Sequence, residues 1–426
     1  MAMVIKKNTQ LTVNDAASLL GVSADTLRRW HKKGLVKASL GANGERLFDT
    51  DEIQRVQNRS EESGVAWSNL KATKSTLTAI ELFCGAGGLA LGLSNAGIQA
   101  KLLVDFDRHA VESLKINRPN WNSLCASVAD IDLHEYKDQI DIMAGGFPCQ
   151  AFSYAGNKLG FADTRGTLFY EYVRLIKQVN PKVVIGENVK GLTTHDQGRT
   201  LKVMIKELEG LGYKVAYKVL RSQFLDVPQK RERLVIMAVR SDLGVEPVFP
   251  IEKDYIVSVR TALEGVPPSD GQKYTDDKKK LMDLIPPGGY WRDLPIELQK
   301  KYMGASFYLG GGKTGMARRL SWDEPSLTLT CNPAQKQTER CHPEETRPLT
   351  VREYARIQCF PDQWLFSGGT SQQYKQIGNA VPVNLGYHIG LAVRAVLGQS
   401  PSRADKPAKL APVVNLSEPT LFESEL

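Results

Sequence analysis

The apolar positions of this 426-residue chain change period several times, and each change predicts an element. Val13, Ala16, Ala17, Leu19 and Leu20 recur at helical spacing and give one apolar face. Gly21 breaks that face, and Ser23 stands as N-cap to a second helix with Thr26, Leu27, Arg28, Arg29 and Trp30. GANGERLF is turn-rich and ends in a short strand, and DTDEIQRV starts another helix. From Thr78 to Phe83 the chain is β-rich; it turns through Gly85, Gly87 and Gly88, then becomes an apolar helix. KLLVDFD predicts a strand ending at Asp105. The apolar run Ile140 to Ala144 predicts another, ended by Gly145 and Gly146, and KVVIGEN a third with Glu187 at its end. Gln229, Arg231 and Arg233 alternate along one predicted strand and so face one way. An apolar helix near Val383 to Leu397 returns to the sheet. The strand, glycine turn and helix at 78–96 predict the opening of a Rossmann-like α/β sheet.

Composition narrows the class. A hydrophobic content of 42% and a charged content of 24% are those of a soluble globular chain with ample core. No apolar run is long enough to span a bilayer, and MAMVIKKNTQ has no signal-peptide core. Six cysteines in this length make no disulfide framework, so a reducing cytoplasm is expected. Cys331, Cys341 and His342 lack a paired Cys-x-x-Cys, and no metal is expected. The net charge of +8 mildly favours a polyanionic partner. Residues 1–60 hold ten Lys and Arg against six Asp and Glu, half of that excess.

The first sixty residues therefore differ from the rest. Helix, turn, helix, wing and helix, carried by GVSADTLRRWHKKGLV and ERLFDTDEI, resemble the winged helix-turn-helix of mercury-resistance-type (MerR) regulators and phage excisionases. Arg28, Arg29, Lys32 and Lys33 fall on or just after the second helix, where such folds meet DNA. The polar, Ser-rich stretch that follows reads as a linker.

The glycine loop alone fits two ligands, a nicotinamide dinucleotide or S-adenosylmethionine. Asp105 stands where a carboxylate takes ribose hydroxyls, Phe106 can stack on adenine, and Asp130 can accept from the adenine amino group. Cys149, on a turn between Pro148 and Gln150, read by itself is a buried structural thiol.

GGFPCQAFSYAGNKLGFADTRGTLF changes that reading. It resembles the nucleophile motif of DNA (cytosine-5)-methyltransferases, and ELFCGAGG is similar to their S-adenosylmethionine loop. GENVKG, VPQKRERLVI, RPLTVREYARIQCFPD and QYKQIGNAVPVNLG resemble later blocks of the family in its usual order, across about 78–395. The resemblance implies a Rossmann-like methyltransferase sheet with a smaller target-recognition domain. It implies Cys149 as the thiolate that adds to carbon 6 of cytosine. Glu187 then holds the N3 and amino edge, Arg233 the 2-oxo group, and Arg231 supports the site. Phe83, Gly85, Gly87, Gly88, Asp105, Phe106, Asp130, Ile131, Pro148, Leu168, Asn379 and Val381 become cofactor positions. Gln150, Ser153 and Arg165 become DNA or loop-fixing contacts in a glycine-punctuated loop over a flipped base. Ala129, Cys84, Asp105 and Phe106 depart from the family's more frequent residues without removing a reacting group.

The domain organisation expected is a winged helix-turn-helix over 1–60, a linker over 61–77, and a catalytic domain over 78–240. Target recognition follows at 241–346, a return to the catalytic domain at 347–397, and a disordered tail at 398–426. Expected partners are double-stranded DNA, operator DNA through residues 1–60, and a restriction endonuclease encoded nearby, with a monomer for catalysis and no membrane. Two other readings stay open: a transcription regulator with a vestigial methylase domain, and a tRNA cytosine-5 methyltransferase. The intact Cys149, Glu187, Arg231 and Arg233 argue against the first, and the extra DNA-binding-like module against the second.

Overall fold

A computed structural model describes residues 10–19, 24–32, 36–41, 44–53, 68, 70–148, 168–310 and 313–400. In the N-terminal module, β1 (Gln10–Leu11) precedes α1 (Val13–Leu19) and α2 (Ala24–Lys32). The wing follows as β2 (Ser39–Leu40) and β3 (Arg46–Asp49), with β3 antiparallel to both other strands. Ala16, Ala17, Leu27, Val36, Phe48 and Ile53 form its core. The apolar face expected of the first helix is therefore the face that α2 and the wing cover. Ser23 and Lys33 lie outside the described residues.

The seven-stranded sheet begins with β4 (Thr78–Leu82), followed by α3 (Gly88–Asn95), β5 (Gln99–Asp105), α4 (Arg108–Asn117) and β6 (Ser123–Cys125). Next come β7 (Ile142–Gly145), α5 (Leu168–Val179), β8 (Val183–Val189), α6 (Arg199–Gly210) and β9 (Tyr213–Arg221). After β10 (Gln229–Lys230), β11 (Glu232–Arg240) inserts antiparallel between β8 and β9. The order is β6-β5-β4-β7-β8-β11-β9, with β6 through β8 parallel. The chain runs outward from β4 to β6, then restarts at β7 and runs the other way. That reversal opens a crevice at the carboxyl ends of β4 and β7, where such sheets bind ligands.

Each face of the sheet has its own core. Ala79, Ala144, Val183 and Ile185 pack with Leu89, Leu93, Leu385 and Ile389. Ile80, Leu82, Met143 and Val184 pack with Tyr172, Leu175, Ile176 and Leu201 on the other. Burial on both faces is why these strands read as nearly unbroken apolar runs.

The expected strand through Gln229, Arg231 and Arg233 is not one strand. Its first residues pair with β12 (Ser326–Leu327), and Arg231 N donates to Gln229 O at 2.8 Å, turning the chain before β11. Gln229 is fully buried: its Oε1 accepts from Leu329 N at 2.9 Å and its Nε2 donates to Gln358 Oε1 at 2.8 Å. Distant partners rather than strand alternation set these side chains: Gln229 and Arg231 both bond to the backbone of Leu329, while Arg233 lies against Glu187.

Between β11 and β12 lie α7 (Val259–Leu263), α8 (Asp276–Asp283) and α9 (Ile296–Met303). A separate cluster of Met282, Ile285, Trp291, Leu294, Met303, Met316, Ala317 and Cys341 holds this region. The chain then returns through α10 (Val351–Ile357), α11 (Thr370–Asn379) and α12 (Val383–Val396). Apolar on nearly every side, α12 is almost wholly buried and lies on α3. Their backbones touch: a Cβ on Gly92 would sit 2.4 Å from Val383 O.

Candidate active site

The glycine loop joins β4 to α3 below the crevice. Phe83 takes a left-handed conformation with φ +57°, uncommon for an aromatic residue, and Gly85 and Gly87 follow at +52° and +85°. Gly88 has ordinary backbone but no room, since a Cβ there would lie 2.1 Å from Val381 O. This close approach seats the start of α3 against the residues just after Asn379.

At the end of β5, Asp105 Oδ2 accepts from Gly85 N and its Oδ1 from Asp107 N, both at 2.8 Å. Burial pushes the Asp105 carboxyl up, against those hydrogen bonds, which pull it down. Phe106 beside it is 73% exposed, a large aromatic face left open at the crevice edge. Asp107 caps α4 and is held by Lys375 Nζ at 2.9 Å. Asp130 is exposed on the turn after β6, while Ile131, partly buried, gives its carbonyl to Arg174 Nη2. Asn379 ends α11 exposed, its Oδ1 accepting from Cys331 Sγ at 3.0 Å, and Val381 is buried beside Gly88. Leu168 is the first residue of α5.

Three strands further along, Glu187 stands on β8 and Arg233 on the neighbouring β11, a diagonal pair in which Glu187 is level with Val235. Arg233 Nε lies 2.8 Å from Glu187 Oε1, an ion pair short of aligned hydrogen-bond geometry, with side chains 12% and 11% exposed. Burial pushes the Arg233 guanidinium down, and Glu187 opposes that shift. Asn188 Nδ2 donates to Phe147 O at 2.8 Å, tying β8 to the turn that leads into Pro148. A Cβ on Gly146 would come within 3.1 Å of Glu187 Oε2, so the turn after β7 passes close beside the carboxylate.

Arg231 does something different. It is 3% exposed, and its Nη1 and Nη2 donate to the carbonyls of Leu329 and Gly378, both at 3.2 Å. Burial, with Arg233 adding to it, pushes its pKa down to about 9. It bolts the β12 region and the end of α11 to the sheet. Arg28 and Lys32 are exposed on α2, and Arg29 is on the same helix. Cys149, Gln150, Ser153 and Arg165 lie outside the described residues, which end on this side at Pro148, three residues beyond β7.

Glu81 was not among the expected site residues. It sits within β4, 3% exposed, with Oε2 buried and unbonded among the described residues. Its signal in the sequence is an acid inside TAIEL, a strand otherwise apolar on both faces.

Comparison with known proteins agrees with this geometry. Residues 77–395 match the model of the C-5 cytosine-specific DNA methylases, and residues 12–48 that of the MerR family regulatory proteins. The Type II methyltransferase M.Eco47II of Escherichia coli is 52% identical over 396 residues, covering 90% of this chain and 95% of that one. M.Sau96I of Staphylococcus aureus is 52% identical over 339 residues, covering 78% and 79%. A solved E. coli structure, described as a candidate DNA modification methyltransferase from a prophage, superposes with a TM-score of 0.57 at 25% identity. That likeness spans 76% of this chain and 100% of that one. A family match running from before β4 to the end of α12, around a crevice at the strand reversal, identifies this chain as a member of the C-5 cytosine-specific DNA methylases.

Proposed function

We propose that this chain transfers a methyl group from S-adenosylmethionine to carbon 5 of a flipped cytosine at a specific duplex site, as the modification enzyme of a restriction–modification system. The observation that carries the reading is the Glu187–Arg233 pair, set on neighbouring strands beside the turn that leads to Cys149. Cytosine carbon 5 is a poor nucleophile until a thiolate adds to carbon 6. Cys149 supplies that thiolate, and the base must leave the stack to meet it. Glu187 holds the N3 edge and carries a proton to the ring as charge builds there, while Arg233 orients Glu187 and meets the 2-oxo group. Arg231 positions the recognition region over the site. Gln150, Ser153 and Arg165 hold the loop and the DNA backbone around the flipped base.

The cradle fits S-adenosylmethionine: Gly88 lets α3 start directly against Val381 and leaves the glycine loop open to the crevice, Asp105 suits ribose hydroxyls, and the open Phe106 ring suits adenine. Phe83, Gly85, Gly87, Asp130, Ile131, Pro148, Leu168, Asn379 and Val381 complete its walls. When bound, the cofactor supplies an electrophilic methyl on sulfur. Residues 1–60 bind operator DNA through Arg28, Arg29 and Lys32 and restrain expression from the enzyme's own promoter. The catalytic unit is a monomer in the cytoplasm, paired with a cognate endonuclease. Among the described residues no helix is long and apolar enough to cross a membrane.

Bisulfite sequencing of DNA from expressing cells gives base and site together. With duplex carrying 5-fluorocytosine and S-adenosylmethionine, the parent forms a denaturant-stable adduct. Cys149→Ser forms none and still shifts DNA in a gel. Methyl transfer at parental rate by Cys149→Ser sinks the mechanism.

A further inference from the structure

The roles above leave Glu81 unused. A carboxylate that is 3% exposed, with a buried oxygen lacking any partner among the described residues, is costly to keep ionised. Its surroundings supply no relief. Asp105 on β5 and Glu187 on β8 carry the same charge, and Glu187 already engages Arg233 of β11. Cys84 comes from the glycine loop, and Tyr172 from α5 gives its hydroxyl to the carbonyls of Met143 and Ile185. On α12, His388 is bound to Asp226 and Arg394 to the carbonyls of Thr73 and Ala96. Burial, then Asp105 and Glu187, push the Glu81 carboxyl well up from its ordinary range.

Register places Glu81 relative to the chemistry. It is level with Leu103 on β5 and with Ala144 on β7, and Ala144 is level with Ile185 on β8. Asp105 and Glu187 lie two residues beyond Leu103 and Ile185, so all three acids leave the same face of the sheet. Asp105 is one strand to one side of Glu81, and Glu187 is two strands to the other. Three spacings of roughly 4.8 Å put the outer pair about 14 Å apart. On the proposed reading, ribose is held at the Asp105 end and cytosine at the Glu187 end. The sulfur that passes the methyl group must then lie between them, over β4 and β7. That is the position above Glu81.

We propose that Glu81 is the counter-ion of the cofactor's sulfonium, carrying a proton in the empty site and losing it while the methyl donor is bound. The inference rests on S-adenosylmethionine being the cofactor. On binding, the carboxyl O–H bond breaks and the proton passes to solvent, leaving carboxylate against sulfonium. Methyl transfer turns the sulfonium into a neutral thioether, and the carboxylate then takes a proton back from solvent. Nothing is oxidised or reduced. The site thereby favours donor over product by charge, although the two ligands differ by one methyl group. A carboxyl that only fills space would keep its proton throughout.

The test is proton release on binding, measured by calorimetric titration of the full chain near pH 7 in buffers of different ionisation enthalpy. The parent is expected to release close to one proton more (about 0.5–1) with S-adenosylmethionine than with S-adenosylhomocysteine. In Glu81→Gln that difference vanishes, and the preference for donor over product falls by about tenfold. Equal proton release for the two ligands in the parent overturns the proposal without any variant, so an unfolded Glu81→Gln does not protect it. A difference that persists in folded Glu81→Gln also overturns it. If the parent binds neither ligand, it is the cofactor reading that fails first, and this inference with it.

Discussion

Gly88 offers a test of the cradle. In Gly88→Ala the new Cβ would meet Val381 O at 2.1 Å, Ala380 Cβ at 3.1 Å and Val381 C at 3.2 Å. A comfortable carbon–oxygen contact is about 3.3 Å, so the Val381 backbone must retreat by roughly 1 Å. It cannot do so freely. Gln358 Nε2 donates to Ala380 O at 3.1 Å, and Val383 N donates to Gln358 O at 3.0 Å. Overpacking of this kind costs about 1–3 kcal/mol, and about 2 kcal/mol of lost stability is expected. The retreat also displaces Asn379, so S-adenosylmethionine affinity should fall by about tenfold to a hundredfold, or about 1.4–2.8 kcal/mol. Urea unfolding reads the first quantity and calorimetric titration the second. Gly191→Ala is the matched control: nothing lies within 4 Å of its Cβ. That change should be neutral or stabilising by up to about 1 kcal/mol. Should Gly88→Ala match the parent in both stability and cofactor affinity, the close approach has no functional weight and the cradle argument fails.

Arg233→Gln strands Glu187 in a site where both side chains are nearly buried. It should cost about 3 kcal/mol in urea unfolding and lower single-turnover methyl transfer by about a hundredfold; parental turnover would remove Arg233 from the site. Asp226 accepts from His388 Nε2 at 2.8 Å, and from Lys253 Nζ and Tyr255 OH at 2.5 Å. Burial pushes its carboxyl up, but His388 and Lys253 outweigh that and hold it well below the usual range. A depressed folded pKa gives stability that is full above the unfolded value of about 4 and is lost as pH falls below it. Asp226→Asn should therefore be about 3 kcal/mol less stable near neutrality, with the gap to the parent closing in acid; a gap independent of pH would contradict the assignment. Deleting residues 1–60 should leave site methylation in cells intact and raise expression from the enzyme's own promoter, and an unchanged promoter reporter would end the operator proposal.

Much of the site is local in sequence, and to that extent it is legible. The turn at Gly85 to Gly88, the acid closing β5 and the acid near the end of β8 each follow from a few neighbouring residues. Arg231 shows where such reading stops. Its alternation with Gln229 and Arg233 is real in the sequence, yet Gln229 is captured by Leu329 and Gln358, and Arg231 by Leu329 and Gly378. Those partners lie about a hundred residues or more away in the chain, and no period records them. Asp226 is similar, with partners at Lys253, Tyr255 and His388. Glu81 is plain in the sequence, but no neighbouring residue there marks it. An acid in a strand is ordinary until the sheet order shows that the strand is central and covered on both faces.

The seating of α12 on α3 has a consequence for the chain as it is made. The glycine loop leaves the ribosome before the rest of the large sheet, whereas the wall it rests on, from Asn379 through Val383, follows only after every strand of that sheet has been made. Until then the start of α3 has nothing to close against, and the crevice lacks one side. A nascent chain that has not yet reached α12 thus carries the acids of β5 and β8 without the wall that closes their crevice. Synthesis of α11 and α12 therefore completes the crevice: its second wall arrives only after the sheet that it covers.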